Sequence, residues 1–471
     1  MTKRLLSLCS IVLIILGFAS CEKKQPSPDP VGMLIGQEQL VHVHASRLYD
    51  KESPYTLCFE NQDGTKSLYI FTSPVSYYKE DDTLEIIDKA LVSVTSSEMK
   101  KQGYVLEPKS CDIKSYFPKN LSKTPFFITG ADSSLSFVPS SELISQNMER
   151  STFKDVEGRK HSAVVYQKDE NIMVEYIPTT SGIMANIEIK EKPETNLLRF
   201  YIEKQDGLSF SVQDNQYVLF QNKQDLTNKA VIYTSFLQDA RGNVGFGNEI
   251  KMAEEEDRWM YTIALDKAFL EAPETQYPVS ITPSFELYRN KMPDSSVFKK
   301  HPNINIYLAN NTVFGDDEIF GDVQHYLRFR INYIFKSYPQ NVKSASYVTT
   351  VLAGSEAVRS IELKRLRELW SSTGATWNTR YQTYNSESIT ELTTPGRYEF
   401  NILNFVKDSI RDDEWNTEGY GLAMTSEKGG EAAKVLATSD NTFYQPYVRI
   451  DFYDLPWTFE KVYAINPDQG V

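Results

Sequence analysis

The apolar residues of this chain fall in short runs of period two, each closed by turn formers, and that pattern leaves little room for anything but β-structure. Tyr55 to Phe59 and Ser67 to Thr72 alternate around Asn61-Gln62-Asp63-Gly64, a hairpin turn signal. The same alternation returns at Ile172–Ile177, Ile183–Ile189, Leu197–Glu203 and Arg258–Leu265. Strand-favouring aromatics are abundant, with 28 Tyr and 25 Phe in 471 residues. A chain of this length divides into roughly three domains, and the expectation is an all-β fold of several sandwich-like modules.

The N-terminus reads as an export signal. Lys3 and Arg4 precede an apolar run from Leu5 to Leu16, which is too short to span a bilayer as a permanent helix. Gly17-Phe18-Ala19-Ser20-Cys21 follows and resembles the bacterial lipoprotein box, although Phe18 stands where that box usually has Leu. The resemblance implies that Cys21 is lipidated and becomes the new N-terminus; ordinary cleavage near Ala19 is the alternative. The implied location is the bacterial cell envelope, at the outer membrane, with the lipid as the only membrane contact. Residues 21–36, with prolines at 26, 28 and 30, read as an extended tether.

Beyond the tether the punctuation divides the chain into modules at 37–149, 150–294 and 295–456, with a tail at 457–471. The first two contain Pro74-Val75-Ser76-Tyr77-Tyr78-Lys79, Tyr116-Phe117-Pro118-Lys119, Asp239-Ala240-Arg241-Gly242-Asn243 and Tyr277-Pro278-Val279-Ser280-Ile281-Thr282-Pro283. In that order these resemble the region preceding the tyrosine–aspartate (RHS) repeats of bacterial wall-associated proteins, with Leu84 and Thr282 departing from the pattern. No such repeats follow here.

The third module resembles the DNRLRE domain, a jelly-roll-type sandwich related to growth-factor propeptides and grouped with carbohydrate-binding modules. The resemblance rests on Pro302–Tyr307, Phe314-Gly315-Asp316-Asp317, Tyr326-Leu327-Arg328-Phe329-Arg330-Ile331, Trp370 with Thr376-Trp377-Asn378, Tyr398–Ile402, Gly419–Met424 and Pro446–Phe452. It implies a strand through Ser360–Leu369, although Leu, Arg, Glu and Lys there are also good helix formers. One helix is expected at 402–411, with Ile402, Phe405, Val406 and Ile410 on one face. Trp370 and Trp377 flank Ser-Ser-Thr-Gly; a buried aromatic covers roughly 150–250 Å², so they read as sandwich core ahead of a ligand platform.

Catalytic motifs are missing from the sequence: it contains no HExxH, CxxC, P-loop or GxSxG. A net charge of −13 argues against nucleic acid as a partner. His42 and His44 would share one face of a strand but lack an evident third metal ligand, and Asp316 and Asp317 are the candidates for a structural Ca²⁺. Removing Cys9 and Cys21 leaves Cys58 and Cys111, for which a disulfide stays open in an oxidising compartment. Tyr381, Tyr384 and Trp415 lie in polar loops and are the candidate ligand contacts.

The expected protein is non-catalytic. Its ligand would be glycan or another extracellular polymer, bound through the third module; the alternative is a structural role beside a surface or fibre protein. Cys21→Ser is expected to abolish acylation and release the protein from membranes. Labelling with a fatty-acid probe checks this, and an unchanged labelled band would overturn it.

Overall fold

The hairpin signalled by Asn61–Gly64 forms between strands Thr56–Asn61 and Lys66–Phe71, with Gly64 at a φ of 82° in its turn. Its inner residues, among them Leu57, Phe59, Leu68 and Ile70, are buried. In the computed structural model, which describes residues 29–140, 148–166, 171–315, 319–329, 339–411, 420–426 and 433–454, this hairpin does not begin a module of its own. Strand Lys66–Phe71 pairs with Tyr447–Phe452, which also pairs with the long strand Val342–Gly354. The last described strand therefore seals the first hairpin into an eight-stranded sheet. Asp451 lies across that seam, accepting from the Ser67 hydroxyl at 2.6 Å and the Ser344 hydroxyl at 2.6 Å.

Facing this sheet is a six-stranded one, running His301–Ile306, Asp294–Phe298, Val323–Leu327, Leu422–Ser426, Arg359–Leu366, Thr383–Leu392. One core joins them, with Leu68, Tyr347 and Ile450 packed with Val323, Leu363 and Met424. The Arg359–Leu366 segment is a strand, because its alternation buries Ile361, Leu363 and Leu366. Helix Leu403–Arg411 covers an end of the core with Phe405, Val406 and Ile410.

The second sandwich is inserted between the two parts of the first. Its sheets have eight and eleven strands and share one core spanning Ile87 to Leu287. Phe137 stacks on Phe285 across the two sheets, with ring centroids 4.0 Å apart; such a pair adds about 0.5–1.5 kcal/mol beyond its area. Gly182 lies against the same strand, and a Cβ there would collide with the backbone of Phe285. The type of turn at Asp214-Asn215 follows from φ values of 44° and 58°, which join strands Leu208–Gln213 and Tyr217–Asn222 in a tight hairpin.

The fold is thus all-β, with five short α-helices among the described residues, but its boundaries differ from the expected ones. The expected modules at 37–149 and 150–294 are mostly one sandwich, and residues up to Phe71 belong with the C-terminal one. Local punctuation marks strand ends and cannot show which sheet a strand joins. The expected tether also ends sooner, since Pro30–Ile35 is a docked helix with Val31 and Ile35 buried. Asp29 caps it, accepting from the Val31 N–H at 2.8 Å, and Pro30 supplies its first turn.

The chain leaves the first sandwich near Thr72 and re-enters near Met292, whose N–H donates to the Thr72 carbonyl at 2.9 Å. Beside these crossovers Lys291 is buried. Its ammonium donates to the Tyr233 hydroxyl at 3.0 Å and the Asp440 carbonyl at 2.9 Å, and pairs with the Asp440 carboxylate at 3.2 Å. Removing one partner of a buried pair leaves an uncompensated charge and costs about 3–5 kcal/mol. Lys291→Met is expected to lower stability by that order, and Lys291→Met with Asp440→Leu by less than the sum of the singles. Urea denaturation of the four proteins checks this.

Candidate functional site

The segment Thr438–Pro446 contains few residues that a sequence reading would bury, yet nearly all of it lies inside the protein. Most of its polar groups are satisfied by distant parts of the chain. Thr438 donates to the Ala309 carbonyl, Asn441 to the Asn310 carbonyl at 3.1 Å, and Thr442 to Glu286 at 2.7 Å. Gln445 reaches Ser73 and the Pro74 carbonyl. This loop of the first sandwich is therefore laid against the second, and a cleft of about 190 Å³ lies along it.

One wall of the cleft comes from strand Gly182–Ile189 and the Ser280–Glu286 stretch, which present Asn186, Ser280, Thr282 and Glu286. The other brings Asn310, Asn311 and Asn441. Phe153, Phe236, Phe443 and Tyr444 add aromatic surface. Glu286 is 2 % exposed; one of its oxygens accepts from Ser284 at 2.5 Å and from Thr442, while Oε2 has no hydrogen-bond partner. A buried carboxylate oxygen without a donor is costly, and Glu286 is one of the residues that line the cleft. Amides, hydroxyls, aromatic faces and one acceptor oxygen suit a neutral ligand rich in hydroxyl groups.

Next to this loop, Asp294, Ser296 and His325 come together. The Ser296 hydroxyl is 2.9 Å from His325 Nδ1, and His325 Nε2 is 3.7 Å from Asp294. Each is no more than 3 % exposed, so a substrate has no approach to the serine. Burial pushes His325 down to about 3, leaving a neutral imidazole. Burial, and then the charge of Asp440, pushes the Asp294 carboxyl well above the usual carboxylate range. The group serves as polar packing at the crossover, where Asp294 accepts from the Ser439 N–H at 2.7 Å.

The residues expected to contact ligand are placed otherwise. Tyr381 is half-buried, edge-on to Tyr326 at 5.7 Å, and its hydroxyl accepts from the Ser371 N–H at 3.2 Å. Tyr384 is half-buried beneath the Arg367 guanidinium, 5.5 Å from its ring. Both are engaged within the tryptophan turn and its neighbouring strand, away from the cleft. Trp415, Asp316, Asp317 and Cys21 lie outside the described residues. His42 ends a helix and lies near Glu38, whereas His44 is buried in a strand between Asn61 at 2.7 Å and the Tyr69 hydroxyl at 2.9 Å. The two imidazoles therefore do not share one strand face, and among the described residues no cluster of three or more His, Cys, Asp or Glu could hold a metal ion.

Cys58 and Cys111 are free thiols, so the disulfide left open by the sequence is not formed. They sit in different cores, Cys58 in the first sandwich and Cys111 in the inserted one. Burial pushes Cys58 up to about 12 and Cys111 up to about 11, so neither is a thiolate near neutral pH.

Trp370 is 4 % exposed, packed on Tyr326 at 5.5 Å, whereas Trp377 is only partly buried and stacks under Arg380 at 4.8 Å. Truncating a buried Trp costs about 3–5 kcal/mol. Trp370→Ala is expected to lose that order of stability in the full chain and Trp377→Ala clearly less, as melting temperatures will read. Compared with known proteins, the chain matches no family model and no curated protein.

Proposed function

We propose that this is a non-catalytic, exported lipoprotein of the bacterial cell envelope, anchored at the outer membrane by Cys21, that binds glycan or another extracellular polymer. The cleft beside Thr438–Pro446 carries the reading. Its volume of about 190 Å³, at roughly 10–15 Å³ per water-sized group, has room for on the order of a dozen groups, the size of one sugar ring. Aromatic faces take the apolar side of such a ring, and amides and hydroxyls take its edge. The DNRLRE resemblance of residues 295–456 supports the same ligand class.

A specific feature favours a second reading, attachment to a neighbouring surface or fibre protein. Strand Thr383–Leu392 is a ten-residue sheet edge, partly exposed and free of Lys and Pro, two of the residues that block pairing with another chain. Crosslinking in intact cells that recovers one stoichiometric protein through this strand favours that role.

A glycan array with the purified protein tests the first reading, and no binding above background would overturn it. Asn186→Ala and Asn311→Ala take one polar group from each wall. At about 0.5–1.5 kcal/mol per hydrogen bond, each is expected to weaken the bound glycan about three- to tenfold, with melting unchanged within a few degrees.

A further inference from the structure

A second cavity lies on the other side of Phe443, between helix Pro30–Ile35 and the inserted sandwich. Met33, Leu34, Val75, Ile87, Ile177 and Phe443 give it an apolar lining. Lys89, Arg159, Lys160 and His161 also line it, and their circumstances differ.

Arg159 is fully engaged. Its guanidinium donates to Asp155 at 2.7 Å and the Met33 carbonyl at 2.6 Å, and pairs with Glu157 at 2.8 Å. His161 is bonded to Asp155 at 2.8 Å. Burial would raise Asp155, but His161 and Arg159 outweigh it and hold this carboxyl down at about 2. Lys89 is different. The side chain is half-buried at the cavity wall, and the described residues give its ammonium no hydrogen bond and no salt bridge. Its contact is the face of Phe443, 4.5 Å from the ring centroid. The neighbouring Asp88 is already held by Lys109 at 2.9 Å. Burial, and then the nearby charge of Arg159, pushes Lys89 down to about 8, so near neutral pH it still carries most of its charge.

A half-buried ammonium set against an apolar wall is incompletely hydrated and lacks a counter-ion, and an anion entering the cavity supplies one. We infer that this cavity is a binding site for a small monocarboxylate, whose carboxylate pairs with Lys89 and whose apolar body lies against Phe443, Ile87, Ile177 and the Pro30–Ile35 helix. The cavity volume of about 70 Å³, at roughly 10–15 Å³ per water-sized group, admits on the order of five to six non-hydrogen atoms, a short-chain acid. Lys89 does not line the glycan cleft, so the site stands apart from the polymer-binding reading.

The pH dependence has a definite sign. Charged or titratable groups around Lys89 are Arg159, which repels its proton, and Asp155, Glu286 and the Cys111 thiol, which favour it; Lys160 and His161 also border the cavity. Affinity for an anion is present while Lys89 is protonated and is lost as pH rises through and beyond about 8.

Calorimetric titration of the full chain with sodium butyrate, and with uncharged butyramide, tests the site. The expected result is saturable butyrate binding that is at least tenfold weaker for butyramide, and that falls about tenfold between pH 7 and pH 9.5. Lys89→Met should weaken butyrate at least tenfold while melting within a few degrees of the unaltered protein, because Lys89 is half-buried and makes no hydrogen bond or salt bridge among the described residues. Equal affinity for butyrate and butyramide, no saturable butyrate heat, or undiminished binding by folded Lys89→Met would each overturn the inference. The butyrate and butyramide comparison needs no variant and stands even where Lys89→Met fails to fold.

Discussion

Lys291 holds together the part of the molecule on which everything else depends. Its ammonium touches Tyr233 of the inserted sandwich and Asp440 of the Thr438–Pro446 loop, while its own backbone belongs to the returning crossover. A buried ion pair of this kind gains little net stability over apolar packing, because both charges lose their hydration. What it contributes here is geometry. The two sandwiches can dock only where the ammonium finds its three oxygens, and any other placement leaves a charge buried and unpaired. The same loop then supplies one wall of the cleft and presents Phe443 to both cavities.

That loop is unusual because it is polar and buried together. Thr438, Ser439, Asn441, Thr442 and Gln445 each find partners contributed by other regions of the chain. Buried polar groups are tolerated when each is bonded, and this one is bonded to both crossovers and both sandwiches. Two exceptions are the Ser439 hydroxyl, within the loop, and Oε2 of Glu286, a residue that lines the cleft. Rigid placement of polar groups around a small unsatisfied space is how a neutral ligand gains orientation without charge.

The closing strand Tyr447–Phe452 imposes a further constraint. It must pair with Lys66–Phe71, nearly the whole chain away, as well as with Val342–Gly354. Such long-range pairing is reached only after a large loss of chain entropy. The inserted sandwich relieves part of this, since its core is drawn from the contiguous stretch Ile87 to Leu287 and, once folded, brings its two ends together at the Met292–Thr72 contact.

Much of the local structure was legible in the residues. Alternation placed the strands at 172–178, 182–189, 197–203 and 258–264, Asn61–Gly64 marked a hairpin, and the apolar face of 402–411 marked a helix. Asp29-Pro30 with Val31, Leu34 and Ile35 was also a helix start, obscured by the prolines before it. These signals are local, arising from backbone sterics and the two periods of side-chain direction. Sheet membership was not legible, and neither were the separation of Cys58 from Cys111, the engagement of Tyr381 and Tyr384, or the cleft. Each depends on which distant residues meet, and a period of two is the same whichever sheet a strand enters. The sequence by itself determined that the fold is built mainly of β-strands and where many of those strands turn. Only the tertiary structure decided that the first hairpin and the strand Tyr447–Phe452 share one sheet and that a polar loop is buried, because pairing and burial are settled between segments and not within them.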